Sequence, residues 1–223
     1  MASGDPISES RRTSTERDTG RIEAFSDGVF AIAITLLILE VKVPHPPGAA
    51  SIHLLAALLG LWPSYLALVL SFIMIGIYWA NHHYIFKLLD KTNHGLNLLN
   101  LLFLLCISFL PFPTAVLGDY LLDAANQTTA ASFYAIGLLL PAAGWLLMWL
   151  YASRGQRLIS RRLDPGFLRR LTIQYIGSVA LYALAVLVSL VEFRAGLAIC
   201  IGLTLLYLRP PNIPAYVHPG RRG

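Results

Sequence analysis

Charge is scarce in this chain. Only 13% of its 223 residues are Asp, Glu, Lys or Arg, where a soluble domain carries about 25%. That shortage excludes an ordinary globular enzyme, and a hydrophobic content of 56% excludes a disordered protein. Cysteine is scarce too. Cys106 and Cys200 both fall within apolar blocks, where free thiols behave as small hydrophobes. Two cysteines make neither a disulfide framework nor a zinc spacing. The stretch before Arg21 is polar, so no cleaved secretory leader is expected. No Thr-Val-Gly-Tyr-Gly loop occurs, so carbonyl rings of that kind cannot supply ion selectivity. No Ser-His or Cys-His pairing is evident, so no enzyme activity and no cofactor are expected.

What is present is apolar residues in long blocks, with a mean hydropathy of +0.63. A spanning helix takes about 20 mostly apolar residues. Six such segments are read at 22–43, 62–82, 96–117, 130–151, 171–190 and 193–208. Pro44 ends the first, and Pro63 sits in the first turn of the second, where proline is tolerated. Pro111 and Pro113 bend or end the third. The sixth is short. The expected fold is an all-α integral membrane protein with six transmembrane helices over residues 21–209. A polar arm, 1–20, and a Pro- and Gly-rich tail, 210–223, are expected to be disordered.

The net charge of +5 is read loop by loop. The arm carries Arg11, Arg12, Arg17 and Arg21, and the second-to-third connection carries Lys87 and Lys91. The fourth-to-fifth connection carries Arg154, Arg157, Arg161, Arg162, Arg169 and Arg170, and the tail adds Arg209, Arg221 and Arg222. Thus 15 of the 17 Lys and Arg residues fall on one side. Positive loops face the cytoplasm, so a multi-pass cell-membrane protein with both termini cytoplasmic is expected. With the basic residues placed between spans and no aromatic-basic motif, no nucleic acid is expected as a partner. The arginine-rich loop enforces topology or binds anionic lipid head groups. It is no voltage sensor, because no span repeats its arginines at helical spacing.

The first span holds the informative residues. Asp27 lies about 9 Å inside Arg21 at 1.5 Å per residue, and an ionisable group at that depth points to a function or a named partner. On a wheel of about 100° per residue, Arg21, Phe25, Gly28, Ile32, Thr35 and Leu39 form one stripe at a four-three spacing. Ser26 and Asp27 fall on the far side. The stripe is a packed seam or the wall of a pore; periodicity alone fits both. His82, at the end of the second span, and Asn97 and Asn100, at the start of the third, lie level with Asp27. A hydrogen-bonded cluster of Ser26, Asp27, His82 and Asn100 is expected. His82 and His83 raise the question of a metal, but adjacent helical residues point about 100° apart and no carboxylate stands at ligand spacing, so none is expected.

The run Arg21-x-x-x-Phe25-Ser26-Asp27, followed by Gly-Val-Phe-Ala-Ile-Ala-Ile-Thr-Leu-Leu, resembles the first-helix signature of the transmembrane protein 175 potassium channel family. Trp79-x-x-His82-His83-x-x-Phe86 and Asn100 leading to Ser108-Phe109-Leu110-Pro111-Phe112-Pro113-Thr114 resemble it as well. These motifs cover about the first half of the chain; the last three spans match in hydropathy only. The resemblance implies a single six-helix repeat of the prokaryotic kind, assembled as a homotetramer with the first helices around the pore. It implies a narrow ring at Ile32, a further ring at Leu39, and a hydroxyl layer at Thr35 that Leu36 shares or replaces. Arg21, Phe25, Ser26 and Asp27 would serve assembly and the cytoplasmic half of the helix, with His82 and Asn100 as partners.

The expected function is a potassium-permeable cation channel closed by a hydrophobic constriction. Its partners are potassium ions, the lipid bilayer and three further copies of the chain. Three rivals stand beside it, one of them a membrane enzyme using His82, His83 and Asp27, which would need a substrate cleft and an activated nucleophile. A secondary transporter would show internal repeats and polar groups at the midplane, and neither is seen. A non-conducting membrane scaffold would use the same stripe only as a seam.

Overall fold

The computed structural model of the chain describes residues 6–44, 54–156, 158–209, 214 and 216, excluding the side chains of residues 6–18 and 156. It is helical throughout, without a strand among the described residues. In chain order the helices are α1 (Pro6–Leu36), α2 (Leu54–Gly60), α3 (Trp62–Phe86), α4 (His94–Phe109), α5 (Pro111–Tyr120), α6 (Gln127–Ser153), α7 (Pro165–Val191) and α8 (Phe193–Tyr207). α1 starts at Pro6, ahead of the Arg21 boundary read from hydropathy, and its apolar part continues into a 3-10 turn at Leu37–Glu40. The tail expected at 210–223 lies almost wholly outside the described residues.

Five segments are long and apolar enough to cross a membrane: Thr19–Glu40, Trp62–Phe86, His94–Tyr120, Gln127–Ser153 and Pro165–Val191. The third of these is α4 and α5 together. Leu110 between them keeps helical angles, and Pro111 and Pro113, which lack amide donors, divide rather than end the helical course. The expectation of six spans meets a limit at α8. Its 15 residues reach about 22 Å at 1.5 Å each, short of the roughly 30 Å hydrocarbon core.

α6 is the central element. It packs against α4, α5, α7 and α8 and buries Tyr134, Leu138, Trp145, Met148 and Trp149. α7 turns its outer face away from the bundle, leaving Ile173, Leu184, Leu187 and Leu190 exposed. In a bilayer such leucines meet lipid and need no protein partner. α7 and α8 form a tight hairpin through Glu192, whose carboxylate accepts from the Arg194 amide. The two helices touch at Gly196. A Cβ there would lie 2.7 Å from Ser189 Cα, so only glycine allows this approach.

The loops sort to two ends of the bundle. Leu89 pairs with Ile159, and Leu163 pairs with Tyr216. These bridges bring the α3–α4 connection, the α6–α7 connection and the chain after α8 to one end. Lys87, Lys91, Arg161, Arg162, Arg169 and Arg170 belong to that end. At the other end Lys42 is ion-paired with Asp119, which ties the chain after α1 to α5. The neighbouring carboxylate pushes the Lys42 ammonium above its ordinary value.

Candidate functional site: the first helix and its seat

α1 rests on α3 and α4 along one narrow stripe. Ser26, Phe30, Ala33 and Leu37 are buried to within 1%, again at a four-three-four spacing. The opposite face has no cover among the described residues. Phe25 is 56% exposed, Ile32 60% and Leu39 71%, and Arg21, Gly28 and Thr35 are exposed with them. The stripe picked out by periodicity is therefore the uncovered side of α1. Leu36, at 40%, sits on its flank. On the wheel the buried stripe centres about 90° from Leu36 but about 170° from Gly28 and Thr35. The Thr35 hydroxyl donates to Ile32 O at 2.9 Å.

The seat of α1 is a polar relay in an aromatic box. His82 Nε2–H donates to Asn100 Oδ1 at 2.9 Å. Asn100 Nδ2 donates to Ser26 Oγ at 3.0 Å, and Ser26 Oγ donates to Ile22 O at 2.8 Å. The amide oxygen only accepts, which places the proton of His82 on Nε2. All three side chains are buried, at 1%, 2% and 0% exposure. The His82 ring stacks on Phe86 with centroids 4.3 Å apart and meets Phe30 edge-on at 5.6 Å. Polar groups inside a membrane must find partners within the protein, and here one residue from each of α1, α3 and α4 supplies them.

Asp27 stands apart from that relay. It is exposed and accepts from Trp79 Nε1 at 2.9 Å. Placing it on the far side with Ser26 overlooked how narrow the buried stripe is: one residue, about 100°, moves a side chain from its centre to its edge. His83 Nδ1 lies 3.2 Å from Glu23 Oε2, so the two histidines diverge. One is buried with Asn100 and one is exposed beside a carboxylate. Among the described residues no three His, Cys, Asp or Glu side chains converge. The roles of Trp79 and Glu23 escaped the sequence reading. The available signal was a pair of four-residue spacings, 23 to 27 and 79 to 83, which place two contacts one helical turn apart.

A second buried polar cluster joins the other half of the bundle. Ser71 Oγ lies 2.6 Å from Thr114 Oγ1 and 3.1 Å from the Tyr134 hydroxyl. It links α3, α5 and α6 much as the His82 relay links α1, α3 and α4.

Long apolar helices with buried polar relays inside and leucines outside define a multi-pass α-helical membrane protein. Its first helix is packed on one face and bare on the other. Comparison with known proteins narrows the class. Residues 21–111 match the family model described as "Endosomal/lysosomal potassium channel TMEM175". A potassium channel of Chamaesiphon minutus is 41% identical over 197 residues, covering 88% of this chain and 97% of that protein. A potassium channel of Streptomyces collinus is 40% identical over 199 residues, covering 88% and 94%. The human endosomal/lysosomal proton channel TMEM175 is 32% identical over 177 residues, which is 76% of this chain and 34% of that one. A crystal structure described as a lysosomal potassium-selective channel TMEM175 homologue from Chamaesiphon minutus aligns with a TM-score of 0.77 at 40% identity. The alignment covers 86% of this chain and 97% of that one. The chain belongs to the TMEM175 family of ion channels.

Proposed function

We propose that the protein is a potassium-permeable cation channel, a homotetramer in which four copies of α1 surround the ion path. The observation that carries this reading is the bare face of α1. Ile32 at 60% and Leu39 at 71% exposed stand opposite a stripe buried to within 1%. A bare apolar face on a membrane helix suits lipid, a second copy or a water-filled path. The alignment of Gly28, Ile32 and Thr35 with Arg21 on that face favours the path, because lipid offers the guanidinium no partner and nothing to the Thr35 oxygen beyond the bond its hydrogen makes to Ile32 O.

In this reading four Ile32 side chains form the narrow ring and close it by steric block and dewetting. Four Thr35 hydroxyls lie next to that ring, where they replace part of the hydration shell of a passing cation. The wheel supports Thr35 over Leu36 as the residue nearest the axis, since Leu36 lies on the flank. From Leu37 the backbone tightens into a 3-10 turn, and Leu39, 71% exposed, stands at the far mouth. The His82–Asn100–Ser26 relay and the Trp79–Asp27 bond fix the rotation of α1 and hence what faces the axis. α8 serves as a sixth crossing, because it turns back from α7 within one residue and the chain after it reaches the basic end, where Tyr216 bridges to Leu163. An even count with the basic end in the cytoplasm then puts both termini there, in the cell membrane.

The test is a reversal potential in a planar bilayer with potassium on one side and sodium on the other. A reversal displaced toward the potassium equilibrium value is expected. A reversal near zero contradicts potassium preference, and absence of current contradicts conduction.

A further inference from the structure

A cavity of about 410 Å³ lies within the subunit, away from the bare face of α1, between α3, α6, α7 and α8. That volume is in the range of small-ligand sites, about 300–1,000 Å³. Its walls are apolar at Met74, Ile77, Ala142, Leu181 and Leu206. Polar groups line it as well, among them Asn81, Ser178 and Arg209. Arg209 follows the end of α8 and is exposed, and the two ion pairs among the described residues, Lys42–Asp119 and His83–Glu23, do not involve it. Arg169 and Arg170, in the first turns of α7, and Arg161 and Arg162 before them are at the same end. We propose that this cavity holds one acyl chain of an anionic glycerophospholipid, with the lipid phosphate bound by Arg209.

The shape of the site fits that occupant. The apolar wall runs along membrane-spanning helices, and the unpaired guanidinium sits where those helices meet the polar boundary of the membrane. Arg209 has no ion pair among the described residues, which leaves its guanidinium open to a phosphate. The surrounding arginines give that end a positive potential, which favours phosphatidylglycerol over a zwitterionic lipid of equal chain length. A Cβ built at Gly177, one of its lining residues, meets nothing within 4 Å, so a side chain can be added there without a clash.

The proposal is independent of whether α1 conducts, because its readout is lipid retention. Full-length protein is loaded separately with palmitoyl-oleoyl phosphatidylglycerol, the matching phosphatidylcholine or oleate, and bound lipid is counted by native mass spectrometry as collision energy rises. Phosphatidylglycerol is expected to persist under conditions that strip phosphatidylcholine. Arg209→Gln is expected to cut its retention about fivefold, the worth of one basic residue at an anionic surface. Gly177→Leu, which fills open space on a helix, is expected to abolish retention. Arg194→Gln, at the opposite end, is expected to leave it unchanged. Equal retention of both phospholipids, an Arg209→Gln variant that behaves like the parent, or retention of oleate without phosphatidylglycerol would overturn the assignment.

Discussion

Asn100 is the hinge point of the relay beneath α1, and its removal gives a graded outcome. In Asn100→Ala two hydrogen bonds disappear, at 2.9 Å to His82 and 3.0 Å to Ser26. His82 is 1% exposed, so its Nε2–H loses its acceptor where no water replaces it. An unsatisfied buried donor costs about 1–3 kcal/mol. The lost bond to Ser26 adds about 0.6 kcal/mol, the mean for interhelical bonds in a membrane protein. A total of about 2–4 kcal/mol follows. Ser26→Ala breaks the bond from Asn100 and the hydroxyl's own bond to Ile22 O; Ile22 O keeps its helical amide donor, so the cost should be about 1 kcal/mol. Adding Ser26→Ala to Asn100→Ala should then cost almost nothing more, because the shared bond is already gone. The assay is thermal unfolding of detergent-solubilised protein followed by tryptophan fluorescence. A Ser26→Ala penalty equal to that of Asn100→Ala, or strict additivity of the two, would refute the relay.

Other outcomes follow from the same geometry. Trp79→Phe removes the bond to an exposed Asp27 and should destabilise by less than about 1 kcal/mol, while shifting the open probability of the channel in bilayer recordings. Gly196→Ala drives a methyl group into Ser189 and should cost about 1–3 kcal/mol by overpacking, seen as a lower Tm; an unchanged Tm would contradict the tight α7–α8 contact. Thr35→Val should lower the potassium-over-sodium permeability ratio, whereas Leu36→Val should leave it near the parent value; the reverse ranking would place Leu36 at the axis. Asp119→Asn should shift Tm little, because the pair with Lys42 is exposed and worth about 0–1 kcal/mol.

Much of this architecture was legible in the sequence because a bilayer imposes simple rules. Apolar length marks a span, and loop arginines mark an end. The loops read as one basic side are drawn together by the Leu89–Ile159 and Leu163–Tyr216 bridges. The uncovered stripe of α1 was legible because helical periodicity sorts residues by face. Periodicity has a resolution of about one residue, however. It grouped Asp27 with Ser26, and the structure separates them into an exposed partner of Trp79 and a buried partner of Asn100. Hydropathy also made the first span helical to residue 43, whereas the backbone tightens from Leu37. The Ser71–Thr114–Tyr134 cluster and the Gly196–Ser189 contact depend on which helices are neighbours, and no local pattern encodes that. The cavity between α3, α6, α7 and α8 is a property of packing between four helices and left no trace in the sequence.

The central claim is that Ile32 forms the narrowest part of an ion path. Its most direct test is single-channel conductance of the reconstituted protein and of Ile32→Ala under symmetric potassium. A ring made narrower by four large side chains should pass more current when they are cut back, so Ile32→Ala is expected to raise the conductance. An Ile32→Ala channel with the parent's conductance would contradict the account and remove Ile32 from the path.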